Sequence, residues 1–433
     1  MLLAGAATVE ISPEVPIALT GYGPGRVARA IHDDLHVAAL YLEDPVSGER
    51  LGLLTYDMAH TEAGFIAEVQ QACAAETGLP ETAVLTTVSH AHSSPTIRPD
   101  RTDSPQEREK CLAWRKRVVA RSAEALARAR NDAVRVEVYM NTTRVRENIN
   151  RRVFFPDGTY YYQPLHKHLS PVADGPVDDE LGMLFFFKGE KKSDPVATLV
   201  NYTAHPLTVG DTSSEVSADY PGVLKREIER SLGGVALFIT GAAGDNHPLG
   251  AEAGFGRCER MGQTLAEKVL YHRWDAVKLE ESPLGVAWRD LVLPAMTDDD
   301  FARVPGHYGS GERLAVPEYA KVDDGIGVKM SLWSVGPVLF VGTPGELVAE
   351  LGLRIKWDSP FAKTFIMYLA TEHLGYMAHR NAFEWGGYEA IYTRYGPDAG
   401  TRFCDAAVAA AHELKARIEA TGRAVTLPRR NGE

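Results

Sequence analysis

Short strand patterns that alternate with helical patterns constrain this fold more than any other feature of the sequence. Runs rich in β-branched and apolar residues predict strands at residues 37–42, 51–56, 83–88, 134–140, 183–187, 197–202 and 235–239. Apolar periodicity and end signals predict helices at residues 61–76, 105–130, 221–231, 257–272, 344–356 and 402–421. Strands interleaved with helices predict an α/β fold, in which mixed sheets are covered by helices.

The sequence contains no candidate boundary between domains. Its 433 residues contain no Ser/Gly-rich or Pro-rich linker and no low-complexity tract. Length alone would suggest two or three domains. Without a linker, we expect one large domain over residues 1–433.

A weak internal repeat supports this organisation. Asp33 and Asp34 precede two predicted strands that end at His60, and Asp178 and Asp179 precede two that end at His205. The two units are offset by 145 residues. Chance similarity between two hairpins is the alternative. If the repeat is real, each histidine lies where a strand gives way to a loop, which is where α/β proteins place ligand-binding groups.

Composition excludes several classes of partner. The net charge is −12, with basic residues mixed among acidic ones, which argues against a nucleic-acid surface or a polybasic membrane patch. No stretch approaches the roughly 20 apolar residues that cross a bilayer, and the N-terminus lacks the basic leader of a secretion signal. The four cysteines form no CxxC pair, so we expect no disulfide framework or thiolate metal site. A cytoplasmic location is expected.

The strongest local signal is a His-x-His pair at the end of an apolar strand, Thr86-Thr-Val-Ser-His90-Ala-His92-Ser-Ser-Pro95. In an extended strand, side chains two residues apart project to one face, so both rings can converge on one ion. An ordinary pair of core or surface histidines is the alternative. A second such pair, His166 and His168, lies in a Pro/Tyr-rich stretch and is interpreted as a surface feature.

Two other strand ends carry residues of the type that bind zinc. His205 ends an apolar strand and is held extended by the following Pro206. Glu346 follows the predicted core strand 338–342 and a turn at Pro344, near the start of a predicted helix. One interpretation of this position is that Glu346 complements the helix dipole. A carboxylate at this position is also what a His2Glu zinc site needs.

Three further segments carry residues that suit a reaction centre. The small-residue run Gly241-Ala-Ala-Gly-Asp245 lets backbone approach a ligand closely, although packing alone could require it. Arg151 lies in an Asn-rich loop, and Tyr376 and Tyr388 lie in a Gly-rich stretch. Arginine and tyrosine can stabilise a developing oxyanion. Solvated loop residues are the alternative interpretation.

The motifs of this sequence resemble those of the catalytic domain of neutral, non-lysosomal ceramidases, and they occur in the same order along almost the whole chain. The matching elements are Gly5 to Pro13, Gly21-Tyr22, His32 to Leu35, Ser89 to Pro95, Asn150-Arg151, His205-Pro206, Asp219 to Gly222, Gly241 to Asp245 and Pro344 to Glu346. No single one is diagnostic, but their shared order is. By this resemblance we expect a stand-alone catalytic domain, without the C-terminal immunoglobulin-like domain of that family.

The resemblance implies a set of site residues. Zinc would be bound by His90, His205, Glu346 and the hydroxyl of Tyr376. His92, Arg151 and Tyr388 would act on the substrate, and Gly21, Tyr22 and His247 would contact it. His247 occupies a position where the family carries Ser or Asn, so a serine-nucleophile mechanism is in doubt.

The resulting hypothesis is a zinc-dependent hydrolase that cleaves an amide bond with a metal-activated water, acting on a small soluble substrate. An esterase or lactonase, or a family member that binds a ligand without turnover, are the alternatives. We expect no stable membrane association, and a homo-oligomer is left open. Segments 144–175 and 295–324 are expected to wall the substrate pocket.

Overall fold

The computed structural model describes residues 1–23, 25–154, 160–162, 175–189, 192–250, 252–305, 312–323 and 325–427. The predictions for His166 and His168 lie outside these residues, as do parts of the two segments expected to wall the pocket. The fold rests on two large sheets and on helices that cover their outer faces.

The strands of the described residues are β1 (Leu2–Glu10), β2 (Ile17–Ala18), β3 (Val27–Ala28), β4 (Ala30–Ile31), β5 (His36–Glu43), β6 (Arg50–Tyr56), β7 (Val84–Val88), β8 (Val134–Arg144), β9 (Asn148–Asn150), β10 (Arg152–Phe154), β11 (Tyr160–Tyr162), β12 (Glu180–Phe187), β13 (Pro195–Tyr202), β14 (Glu215–Val216), β15 (Val235–Thr240), β16 (Asn246–Pro248), β17 (Val277–Lys278), β18 (Leu284–Pro294), β19 (Lys321–Val322), β20 (Gly325–Val335), β21 (Val338–Gly342), β22 (Glu346–Leu347), β23 (Lys363–Met367) and β24 (Tyr376–Met377). The α-helices of the same residues are α1 (Ala63–Thr77), α2 (Pro105–Asn131), α3 (Asp219–Leu232), α4 (Phe255–His272), α5 (Asp298–Arg303), α6 (Ala349–Asp358), α7 (Arg380–Trp385), α8 (Tyr388–Ile391) and α9 (Ala399–Glu419).

The larger sheet confirms the internal repeat. Its strand order is β15-β13-β12-β8-β1-β5-β6-β7, with β17 also paired to β8. Outward from the β8-β1 junction, each half has two antiparallel pairings followed by a parallel one. The parallel pairings need crossover connections, which α1 and α3 supply. His60 follows β6 and His205 follows β13, so the two histidines occupy equivalent places in the two halves.

The second sheet packs against the first. Its order is β18-β20-β21-β23, with β19 paired to β20. Trp333, Phe340 and Phe365 of this sheet share one buried cluster with Leu40 and Leu53 of the larger sheet. Fully burying such side chains stabilises the folded state by roughly 1.5–3 kcal/mol each. The two sheets therefore share a core, while the expectation of one domain over the whole chain stays a prediction.

Helices cover the remaining faces. Phe65 of α1 and Trp114 of α2 pack on one half of the larger sheet, and α3 and α4 pack on the other half. Phe403 of α9 joins the core on the far side of the second sheet. No helix in the described parts of the chain is long and apolar enough to cross a membrane. All four cysteines are buried and free.

The helix predicted at residues 344–356 begins later than expected. After β21 the chain forms the short strand β22, and α6 starts only at Ala349. Glu346 N–H donates to the Gly375 carbonyl and Val348 N–H to the Met377 carbonyl, so pairing with β24 replaces the first helical turn. Glu346 therefore does not lie at a helix N-terminus, and the helix-dipole interpretation of this residue is wrong.

Candidate metal centre

Ends of strands from both sheets meet at one buried location. His90 follows β7, His205 follows β13, and Glu346 lies just after β21. All three side chains are buried, with His205 fully so. The residues that the sequence proposed as core ligands, which lie more than a hundred positions apart, are thus brought together.

The His-x-His pair converges, but not for the predicted reason. Strand β7 ends at Val88, and the backbone of His90 is in the left-handed conformation with φ of 71°. Residues other than glycine rarely adopt this conformation. The expectation that strand alternation aligns the two rings is therefore wrong. Instead, this turn and the bond from His92 N–H to the Pro206 carbonyl bring the His92 Nε2 to 3.2 Å from the His90 Nε2.

Backbone carbonyls fix the ring orientations of two histidines. The His90 Nδ1 donates to the Ala59 carbonyl, and the His205 Nδ1 donates to the Ala243 carbonyl at 2.6 Å. With the proton on Nδ1, each Nε2 presents a lone pair. The Glu346 Oε2 lies 3.5 Å from the His90 Nε2 and 3.2 Å from the His205 Nε2. Three electron-pair donors thus face one another.

The other side of Glu346 is held by residues that the sequence did not single out. The Tyr368 hydroxyl donates to Oε2 at 3.0 Å, and the His373 Nε2 lies 2.9 Å from Oε1. Burial alone would raise the pKa of Glu346, but His90, His205 and His373 lower it well below its ordinary value. The carboxyl is therefore ionised at neutral pH.

Burial favours the neutral form of two of the histidines, His205 and His92. Burial lowers the pKa of His205 to about 4, against the opposing effect of Glu346. Burial, then the neighbouring His90 and His205, lower the pKa of His92 well below its ordinary value. Neutral imidazoles and an ionised carboxylate are the forms that bind metal ions.

Gly21 and Tyr22 lie against His92. Gly21 has φ of 96°, and a Cβ on it would lie 2.5 Å from the His92 Cγ. The Tyr22 ring meets the His92 ring edge-on at 4.8 Å. Arg26 donates to the His92 carbonyl at 2.9 Å and lies over the Tyr22 ring. The Gly-Tyr element therefore positions His92, a contact that the sequence did not foresee.

A second set of residues surrounds Arg151. Its Nε donates to Glu389 at 2.7 Å, and its Nη1 donates to the His247 Nε2 at 2.7 Å. Its guanidinium lies 4.9 Å from the Tyr388 ring centroid and 5.3 Å from that of Tyr376. Strands β9 and β16 pair His247 with Ile149, which places the histidine beside Arg151.

These residues connect to the candidate metal ligands. The His247 and His205 ring centroids are 5.1 Å apart, and Tyr376 pairs with Glu346 in β24 and β22. Burial and Glu346 raise the pKa of Tyr376 well above its ordinary value, whereas Arg151, which hydrogen-bonds with the hydroxyl, opposes this. All ten residues named from the sequence thus lie in one contiguous neighbourhood.

Comparisons with known proteins give one clear result, at the level of structure. No protein-family model matches the chain, and no curated protein matches it. The crystal structure of neutral ceramidase from Pseudomonas aeruginosa superimposes with a TM-score of 0.74 at 18% identity, covering 95% of this chain and 75% of that one. The protein has the neutral ceramidase fold. A ceramidase complexed with C2 agrees, with a TM-score of 0.75 at 16% identity over 99% of this chain and 77% of that one.

The donor atoms of this ceramidase-like domain fit a zinc ion. Zinc bonds of about 2.0–2.2 Å in a tetrahedral arrangement place ligand atoms roughly 3.3 Å apart, and the separations from Glu346 Oε2 to His90 and His205 are 3.5 and 3.2 Å. His90, His92 and His205 also form a buried group whose donor atoms lie within 4.8 Å of one another. His92 is therefore a second candidate for the third ligand, beside Glu346.

Proposed function

We propose that the protein is a zinc-dependent hydrolase that cleaves the amide bond of an N-acyl substrate. His90, His205 and Glu346 would bind the ion, and Tyr376 would add its hydroxyl. The observation that carries this proposal is the convergence of two Nε2 lone pairs on a carboxylate oxygen, with both tautomers fixed by backbone carbonyls. A zinc ion held there would supply polarisation of a carbonyl group and activation of a water nucleophile near neutral pH.

The chain's own residues would supply proton transfer. His92 lies beside the proposed ligands, and burial lowers the pKa of its ring. The uncharged ring would accept a proton and return it to the leaving amine. Gly21 and Tyr22 lie against this ring. Because the lowered pKa favours the uncharged ring, we expect activity across neutral pH.

Arg151 and Tyr388 would stabilise the negative charge that develops on the carbonyl oxygen. Glu389 is fully buried and fixes the Arg151 Nε, while His247 fixes Nη1. A guanidinium anchored on two sides needs no reorganisation when charge appears, which is the basis of this kind of catalysis. His247 stands where a serine nucleophile would otherwise lie, and its bond to Arg151 supports a positioning role.

The substrate class is inferred from the similar structures. The similar structures are ceramidases, which favours a lipid N-acyl amide over the small soluble substrate expected from the sequence. An ester or lactone would use the same centre. The non-catalytic alternative is disfavoured because every proposed ligand is present and buried.

A substrate panel with metal analysis tests the proposal. Purified protein would be assayed on N-acyl sphingosines, short N-acyl amino acids, esters and lactones, before and after chelation and zinc return. We expect an amide to be the best substrate and chelation to abolish turnover. Retained zinc without turnover of any amide would contradict the assignment. Zinc content of His92→Ala and Glu346→Gln would decide the third ligand.

A further inference from the structure

A groove lies between α1 and the second sheet, and none of the ten site residues named from the sequence lines it. Its volume is about 450 Å³, within the range of roughly 300–1,000 Å³ typical of small-molecule sites. Most of its lining is apolar and includes Ile66 of α1, Leu291 and Val292 of β18, and Val328 of β20. Val292 is 58% exposed, so apolar surface faces solvent at the rim.

Two acidic side chains line this groove, Asp290 at its exposed rim and the buried Glu372. Glu372 is only 5% exposed, and within the described parts of the chain its Oε2 has no hydrogen-bond partner. Tyr319 hydrogen-bonds with the carboxyl group, and burial raises the pKa of Glu372 to about 8. A buried carboxyl oxygen without a donor is costly, and an ion pair or charged hydrogen bond would relieve that cost.

Two cationic side chains near Glu372, Lys329 and Arg394, form hydrogen bonds with other partners. The Lys329 Nζ bonds with Asp290 at 2.7 Å at the exposed rim, and the Arg394 Nε donates to the Ala315 carbonyl at 2.8 Å. The groove therefore combines an apolar wall with a buried acceptor. This pairing of features complements a molecule that carries a donor cation on an apolar chain.

We propose that this groove binds a primary alkylammonium, whose chain lies along Ile66, Leu291 and Val328 and whose ammonium group donates to Glu372 Oε2. The site does not depend on the proposed hydrolase activity. It adjoins that centre, because Glu372 precedes His373, whose Nε2 contacts Glu346. An occupant would thus contact Glu372, whose neighbour His373 hydrogen-bonds with the proposed zinc ligand Glu346.

Calorimetric titration with n-octylammonium below its micellar concentration, at pH 9, where the Glu372 carboxyl is mostly ionised, tests the site on the intact protein. Octan-1-ol and octanoate, of matched chain length, are the neutral and anionic controls. We expect saturable binding of the ammonium, at least about tenfold tighter than that of the alcohol, because charged hydrogen bonds are the stronger kind. Absence of binding, or equal affinity for the alcohol, would overturn the proposal without any variant being made.

Two variants locate the binding. Glu372→Gln keeps the size of the side chain and removes its charge, and we expect it to weaken ammonium binding about tenfold or more. Asp290→Asn is the matched control, because this carboxylate is exposed at the rim and already paired with Lys329. We expect it to change the affinity less than about twofold. Equal effects of the two substitutions would show that Glu372 is not the acceptor.

Discussion

Replacing Gly21 by alanine should impair turnover while leaving zinc in place. The added Cβ would lie 2.5 Å from the His92 Cγ and 2.7 Å from its Cα, where ordinary contacts begin at 3.4 Å. His92 must therefore move by roughly 1 Å, and a displacement of that size can reduce a catalysed rate about 10²-fold. The φ of 96° adds a backbone cost of about 1–2 kcal/mol.

Gly25 provides a matched control for that backbone cost. Its φ is 86°, but a Cβ there meets nothing within 4 Å. Gly25→Ala should therefore lose similar stability in urea denaturation and keep its activity. The assay is turnover of the best panel substrate, with zinc content measured on the same samples. Wild-type activity in Gly21→Ala, or an equal loss in Gly25→Ala, would refute the contact-based reasoning.

Three other changes have expected outcomes. His373→Ala removes the partner of Glu346 Oε1 and should weaken zinc affinity about 10–100-fold in chelator competition; unchanged affinity would mean that Glu346 is held without it. Arg151→Lys keeps the charge but cannot bond Glu389 and His247 together, so kcat should fall about 10²-fold with zinc retained. Burial raises the pKa of Glu372 from 4.5 to about 8. Between these values the folded protein keeps a proton on this carboxyl that the unfolded chain releases. The free energy of unfolding should therefore fall by roughly 3–4 kcal/mol as the pH rises from 5 to 8. Urea denaturation of Glu372→Gln should lack this part of the slope; an unchanged slope would contradict it.

The larger sheet was predictable because its signals are local. Its strands are short apolar runs, and five of the seven predicted strands and the helix at Pro105–Asn131 fall within two residues of their observed bounds. The repeat was visible because Asp34 and Asp179 lie 26 residues before His60 and His205, respectively. Candidate ligands at strand ends follow from the same architecture, so the convergence of His90 and His205 was predictable.

The remaining features depend on contacts between distant segments. Strands β18 and β20 of the second sheet were missed, because half-exposed residues interrupt their apolar pattern. Strand β22 forms only because β24 lies beside it, so the sequence suggested a helix instead. His373 and Glu389 belong to no recognisable motif, and their roles arise from Glu346 and Arg151, which lie 27 and 238 positions away.

Anomalous diffraction from a crystal at the zinc absorption edge would locate the ion that His90, His205 and Glu346 are proposed to bind. We expect one strong peak within bonding distance of the Nε2 atoms of His90 and His205 and of Glu346 Oε2. A crystal grown with zinc that shows no peak among these atoms, or shows the peak elsewhere, would contradict the proposal.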